Sequence, residues 1–267
     1  MNKPISNRPW LMQIKPLWLR EKLYWKLYRQ YSQKFKALFQ SAKLEFAPQV
    51  LLQLMPTDTA HQELAFLGFY ELEVSRRIAK LAQLGGLMVD VGANYGYYSC
   101  LWAAVQTDNR VVAFEASPRN FAALNQNLKQ NQLTSQVTVH QTAVGQLKGS
   151  LPFTLGPEEQ SGWGGLLGQN QVNTIEVPVV SLDEIFPYEQ SVSIQVLKID
   201  TEGADTWVLQ GAINLLRSHR VQHIFFEENL VRMAELNIQP GEAQTLLKNC
   251  GYQVASLRKG EWYASLK

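Results

Sequence analysis

Val89-Asp90-Val91-Gly92-Ala93-Asn94-Tyr95-Gly96 is the stretch whose reading decides the fold. Leu87 to Val91 is an apolar run bounded by glycines, which fits a strand covered on both faces. Gly92 and Gly96 let the backbone turn sharply and approach a ligand closely. A helix then opens near Tyr95, and its first amides attract an anion. Strand, glycine turn and helix in that order place the turn at the carboxyl edge of a parallel sheet, where open α/β folds bind ligands. A tight turn with no ligand would also produce this pattern.

Outward from this turn, strand and helix alternate. Strands are predicted at 87–91, 110–115, 136–143, 194–200, 221–227 and 251–257, with helices near 95–106, 118–131, 204–218 and 240–250. A last strand at 261–266 follows Lys259-Gly260 too closely for a crossover and should pair antiparallel with its predecessor. The fold class is therefore α/β, Rossmann-like and mostly parallel. Residues 144–192 interrupt the alternation with Gly145, Gly149, Gly156, Gly162, Gly164, Gly165 and Gly168, a short strand at 177–180 and one helical turn at 181–186. So long a loop inside a domain is usually functional.

Upstream, apolar side chains at Leu17, Tyr24, Leu27, Tyr28, Tyr31, Phe35, Leu38 and Phe39 predict an amphipathic helix over 17–40. A further helix runs roughly 59–83, stopped by Gly85-Gly86. Residues 1–43 hold ten Lys/Arg against Glu21, leaving fifteen of the 25 basic residues against 22 of the 23 acids. This split predicts a basic helical extension, residues 1–60, ahead of a domain at 61–267. Cys100 and Cys250 lie far apart in apolar stretches and are expected as reduced, buried thiols. No apolar run approaches a membrane span of ~18 residues, and charges interrupt the N-terminus too often for a signal-peptide core. A cytoplasmic enzyme is the expectation.

The chemistry-bearing residues fall at predicted strand ends. Asn94 stands where the dinucleotide fingerprint G-x-G-x-x-G needs its second glycine, so a pyrophosphate fits poorly and a smaller anion, such as an amino-acid carboxylate, fits better. Asp90 could oppose the ammonium of such a tail, directly or through water. Glu115, ending the second strand, can accept from both hydroxyls of a ribose and would repel a 2′-phosphate. Thr142-Ala143-Val144-Gly145 offers small side chains that leave backbone free to read an adenine edge. Asp200, Glu202 and Asp205 crowd the fourth strand's end, which raises carboxyl pKa values and suits a general base; helix capping by Asp200 or Thr201 is the structural alternative. Glu227, Glu228 and Asn229 end the fifth strand. Together with Asp200 they offer oxygen ligands suited to Mg2+, but the pattern is imprecise and no metal ligand is assigned. Trp163, among glycines, could close over a ligand or anchor a loop. His61, His140, His219 and His223 have no metal-like or triad-like neighbours and are expected at the surface or satisfied in strands.

Taken together, Asp90–Gly96, Ala113-Phe114-Glu115-Ala116-Ser117-Pro118 with Asn125 and Asn131, Val177–Asp183, Leu197–Ala204 and Val208–Ala212 resemble the FkbM-type S-adenosylmethionine (SAM)-dependent methyltransferases in order and spacing. The resemblance covers roughly residues 66–257, including Gly68-Phe69-Tyr70-Glu71. It implies a seven-stranded class I methyltransferase sheet with an antiparallel C-terminal strand, SAM as methyl donor and usually an oxygen acceptor. It assigns the SAM tail to Asp90, Gly92, Asn94 and Gly96 and the ribose to Glu115, with Glu71, Asp200 and Glu202 lining the pocket. Ala116 and Asp205 depart mildly from the family's Pro and Glu. The expected reaction is in-line transfer to a hydroxyl of a small-molecule, sugar or natural-product acceptor, releasing S-adenosylhomocysteine, with Asp200, Glu202 or Glu227 as base. Carboxylate and nitrogen acceptors, a non-catalytic SAM-fold scaffold and an NAD-linked oxidoreductase are the alternatives. The N-terminal helix could cover the acceptor, pair two copies, dock on an acidic or peptide partner, or rest on a membrane; no nucleic-acid module is recognised.

Overall fold

The structure, a computed structural model, describes residues 8–29, 35–167 and 174–266. Its helices are α1 (Leu17–Leu23), α2 (Lys36–Gln40), α3 (Thr59–Leu67), α4 (Leu72–Ala82), α5 (Tyr97–Val105), α6 (Pro118–Gln130), α7 (Leu182–Ile185), α8 (Asp205–Gln210), α9 (Ile213–Arg217), α10 (Leu230–Glu235) and α11 (Glu242–Asn249). The strands are β1 (Ala42–Lys43), β2 (Leu51–Leu52), β3 (Leu87–Val91), β4 (Arg110–Phe114), β5 (Val137–His140), β6 (Ala143–Val144), β7 (Gly149–Thr154), β8 (Gly165–Leu166), β9 (Thr174–Val180), β10 (Ile194–Ile199), β11 (Val221–Glu227), β12 (Gln253–Arg258) and β13 (Glu261–Ser265).

Seven strands form the main sheet in the order β12-β13-β11-β10-β3-β4-β5. β5, β4, β3, β10 and β11 are parallel. β13 runs antiparallel to both β11 and β12, closing the expected C-terminal hairpin. From β3 the chain builds outward to β5, then returns to place β10 on the other side of β3. The β3/β10 boundary is thus a topological switch point, which opens a crevice at the strands' carboxyl ends.

Alternation along each strand divides the core between the two sheet faces. Met88, Val111, Val196 and Phe225 pack with α3 to α6, while Val89, Leu197, Ile224 and Phe226 pack with α8, α9 and α11. Both faces are covered, so the strands read as unbroken apolar runs rather than alternating ones. Cys100 and Cys250 are both free and buried, as expected.

Several predicted elements divide where tertiary contacts intervene. The helix expected over 59–83 becomes α3 and α4, because Gly68 (φ +81°) ends α3 against the Lys43 carbonyl. The helix expected over 204–218 becomes α8 and α9 at Gly211, whose missing side chain admits the Gly145 carbonyl oxygen at 2.0 Å from a built Cβ. The strand expected at 136–143 stops at His140; β6 leaves for a second, four-stranded sheet, β6-β9-β7-β8. The supposed 144–192 loop carries β7, β8 and β9 of this sheet, and Gly168 lies outside the described residues. α10, capped by the Asn229 side chain, is not among the helices predicted above.

The helix expected over 17–40 crosses residues 30–34, outside the described residues. On either side of them are α1, which continues as a π-helical turn (Tyr24–Tyr28), and α2. This segment is fastened to α3. Arg20, 2% exposed, donates to Glu45 Oε2 and to the Leu67 carbonyl, both at 2.8 Å. Tyr24, Tyr28 and Phe35 pack around Phe66 with ring centroids 5.3–5.6 Å away.

Among the described glycines, the closest backbone approach lies at the switch point. A Cβ on Gly92 (φ +81°) would stand 1.8 Å from the Asp200 carbonyl oxygen. Gly92→Ala should therefore destabilise the fold by about 3 kcal/mol or more, from backbone strain and overpacking. Gly149→Ala, with nothing within 4 Å, should change stability by less than about 0.5 kcal/mol. Urea unfolding midpoints of the two variants measure the contrast.

Candidate active site

A cavity of about 340 Å³ opens above the β3/β10 boundary, within the size range of small-molecule sites. Its floor is the Gly92–Tyr95 turn and its sides are the ends of β4, β10 and β11, the start of α3, and the Gln160–Gly164 loop.

Glu115 is held by the backbone on both oxygens. The Asn94 amide donates to Oε2 and the Ser117 amide to Oε1, each at 2.8 Å. A carboxylate has about four acceptor positions, so two remain for donors arriving in the cavity. Burial pushes the Glu115 carboxyl up to about 7, against the pull of these two amides. Asn94 takes a left-handed conformation (φ +49°), and its side-chain Oδ1 is a buried acceptor without a hydrogen-bond partner. Ala143 lines the same cavity, placed there because the chain breaks between β5 and β6, where Thr142 Oγ1 donates to the Pro178 carbonyl at 2.7 Å.

Asp200, Glu202 and Glu227 come together at the other end, each offering a carboxylate oxygen within 4.8 Å of the others. Burial, then the charge of Asp200, pushes Glu202 up to about 7, against a hydrogen bond from Asn229 Nδ2 at 3.0 Å. Burial and the charges of Asp200, Asp205 and Glu202 drive Glu227 well above the carboxylate range. Glu202 and Glu227 therefore retain protons near neutral pH. Asp200 and Thr201 do not cap α8, whose N-cap is Ala204 without a side-chain bond. Asp205 instead knots the two strand ends, accepting from the Thr201 amide (3.0 Å) and hydroxyl (2.5 Å) on one oxygen and from the Glu227 amide (2.9 Å) on the other.

Three residues expected in the pocket, Asp90, Glu71 and Gly96, stand outside its wall; Gly96 precedes α5 with Leu124 packed where a side chain would go. Asp90 is 2% exposed and receives the Ser99 hydroxyl at 2.6 Å, so strand alternation turns it toward α5 and away from a direct contact in the cavity. Burial lifts its carboxyl to about 6. Glu71 (φ +44°) turns toward the Tyr98 hydroxyl at 2.8 Å and Lys198 Nζ at 3.9 Å. Burial lifts it to about 7, with Lys198 opposing. Lys198, not among the site residues expected from the sequence, is 3% exposed and lies 3.3 Å from Asp200 Oδ2 and 5.3 Å over the Tyr98 ring. Burial works against its charge, but Asp200, Glu71, Glu227 and Asp205 together hold it protonated. Its signal was a lysine inside the apolar run Val196-Leu197-Lys198-Ile199: an ammonium there must find carboxylates.

His61 was expected at a surface or in a strand, but it lines the cavity. Its Nδ1 faces the Met55 amide at 3.3 Å, and burial lowers its pKa to about 4 in spite of Asp58. The neutral ring must accept that amide on Nδ1, which leaves the proton on Nε2. Asp58, fully buried, accepts from the His61 amide (3.0 Å) and the Ser161 amide (2.6 Å), tying the start of α3 to the cavity loop. On that loop Trp163 lines the mouth and is 58% exposed.

The donor set discriminates between ligands. Asp58, Glu63, Glu115, Asp200, Glu202 and Glu227 line the cavity, and among the described residues no Lys or Arg does. Such a wall repels the pyrophosphate of a dinucleotide and suits a ligand that brings cations and hydroxyl donors. The orphaned Asn94 oxygen and the spare positions on Glu115 fit SAM, which carries an ammonium, a sulfonium and a ribose diol.

A seven-stranded Rossmann-like sheet with its cavity at the switch point and an antiparallel C-terminal hairpin defines a class I methyltransferase fold. Residues 90–254 match the methyltransferase FkbM domain, and the chain belongs to that family. It is 25% identical over 197 residues to "Methyltransferase 1" of Beauveria bassiana, covering 66% of this chain and 75% of that protein. It is 26% identical over 151 residues to the hexuronic acid methyltransferase AglP of Haloferax volcanii, covering 55% and 59% of the two chains. A precorrin-6y C5,15-methyltransferase from Geobacter metallireducens superposes with a TM-score of 0.44 at 15% identity, over 74% of this chain and 90% of that one.

The buried acids predict a pH dependence of stability. Glu71, Glu115 and Glu202 each rise from 4.5 to about 7 on folding. Between those values the folded protein binds more protons than the unfolded chain, so stability falls as pH rises. Melting temperature without ligand should drop from pH 5 to pH 8, and Glu202→Gln should shallow that slope.

Proposed function

We propose that this protein transfers the SAM methyl group to a hydroxyl oxygen of an uncharged small-molecule, sugar or natural-product acceptor. The observation that carries the reading is the acidic cavity wall, three of whose carboxylates converge at the ends of β10 and β11. A hydroxyl enters such a wall without a charge penalty. A carboxylate acceptor would add a negative charge to acids that already hold protons to relieve their own crowding, and each ionised neighbour at 4 Å would cost about 4 kcal/mol in a partly buried site. The basic N-terminal segment supplies no side chain to the described wall that would offset this.

SAM, when bound, supplies an electrophilic methyl on a positively charged sulfur. Glu115 and Asn94 are the residues that would hold it, the first through its diol and the second through the unpaired Oδ1. Asp200, Glu202 or Glu227 would take the proton of the acceptor hydroxyl as its oxygen accepts the methyl and the carbon–sulfur bond breaks, S-adenosylhomocysteine being the leaving group. A carboxyl near pKa 7, as at Glu202, is matched to take that proton at neutral pH. Lys198 beneath Asp200 positions that carboxylate. Trp163 at the mouth would exclude water once an acceptor is seated.

Calorimetric titration with SAM, S-adenosylhomocysteine and NAD tests the cofactor, and a radiolabelled methyl-transfer screen over neutral sugars, polyketides and their carboxylate analogues tests the acceptor. Methylation confined to carboxylates would overturn the hydroxyl reading. Glu115→Ala should weaken SAM binding by about 1–3 kcal/mol, and unchanged affinity in the folded variant would remove the ribose assignment. Glu202→Gln should lower kcat roughly 10²-fold or more if Glu202 is the base, with the acid limb of the pH–rate profile displaced and SAM affinity retained.

A further inference from the structure

The helical stretch 17–28 has two aromatic faces, and the core uses only one. Arg20 and Tyr24, 2% and 1% exposed, point inward to Glu45 and Phe66. Positions 18, 22, 25 and 29, spaced by four, three and four, form the opposite stripe. There Trp18 is 52% and Trp25 43% exposed, with Lys22 Nζ 5.0 Å over the first ring and the Arg29 guanidinium 4.7 Å over the second. Trp10, 73% exposed, stands in the preceding 3-10 turn (Trp10–Gln13), and Lys15, Lys26 and Leu27 are exposed nearby. Glu21 is the one acid in residues 1–43.

Exposed indoles flanked by cations match the chemistry of a lipid headgroup layer. The ring sits at the boundary between apolar and wet, and Lys and Arg reach phosphate. A second copy is a poor occupant, because a two-fold contact through this face would set like charges against each other. We propose that this face docks the protein on an anionic lipid bilayer. The proposal is independent of the methyl-transfer reading.

The test uses the full chain. Co-sedimentation is measured with vesicles of phosphatidylcholine alone and of phosphatidylcholine mixed with phosphatidylglycerol, at low and high salt. Quenching of tryptophan fluorescence by brominated lipids is measured in parallel. Binding should be roughly tenfold or more stronger to the anionic vesicles and should weaken with salt. The double variant Trp18→Ser/Trp25→Ser should lose about tenfold in binding and most of the quenching, with its fold retained by circular dichroism because both rings are partly exposed. Lys22→Ser/Lys26→Ser should lose the preference for phosphatidylglycerol and keep its fold. Equal partitioning to both vesicles, or variants that bind like the parent, would overturn the proposal. So would velocity sedimentation showing a dimer that the tryptophan variants break, or retention by an acidic protein or polyanion with none by vesicles.

Discussion

The contact between the ends of β3 and β10 is the constraint on which the rest depends. The Asp200 amide donates to the Val91 carbonyl at 2.9 Å, and the Asp200 carbonyl occupies the space a side chain on Gly92 would need. Only glycine permits that approach at a positive φ. The contact sets the two strand ends side by side at the switch point, with the turn that leads to Glu115 on one flank and the three converging carboxylates on the other. Much of what makes the site chemically distinct follows from it, because neighbouring parallel strands deliver their terminal acids to one edge.

That delivery has an electrostatic consequence. Acids gathered in a buried space destabilise one another's charge, and the fold answers in three ways. Lys198 compensates from beneath, between Glu71 and Asp200. Asp205 is spent on backbone and hydroxyl donors that bind β10 to β11. Glu202 and Glu227 are left to hold protons at pH values where exposed carboxyls have lost theirs. A site that stores and accepts protons near neutrality, with no described cation in its wall, is matched to a ligand that brings its own positive charge and to an acceptor that must lose a proton.

The second sheet and α3 complete the enclosure from outside the alternating core. β6 leaves the main sheet after His140 and puts Ala143 in the wall. Asp58 at the start of α3 holds the cavity loop through Ser161, and α3 in turn carries the N-terminal helices on Phe66. The basic, tryptophan-bearing stripe on the far side of those helices is therefore connected through one rigid element to the cavity rim.

Local pattern was enough for the order of strands and helices, the glycine turn, the C-terminal hairpin and the acids at strand ends, because each depends on a short run of residues and the period of its apolar positions. The family resemblance was legible for the same reason, being carried by contiguous motifs such as Asp90–Gly96 and Leu197–Ala204. What depended on long-range partners was not legible. His61 looked ordinary because Tyr95, whose ring it meets, and the strand ends that enclose the cavity lie thirty or more positions away in the chain. Asp90 and Glu71 were expected in the wall but turn away from it, because side-chain direction depends on what packs nearby: Ser99 claims the first, Tyr98 and Lys198 the second. The long glycine-rich interval read as a loop because the short strands β6 and β8 carry too little apolar pattern to stand out until β7 and β9 pair with them. By itself, then, the sequence determined the element order and the kinds of chemical group at each strand end; the tertiary structure alone decided which groups face the cavity, because burial and charge compensation are properties of neighbours in space.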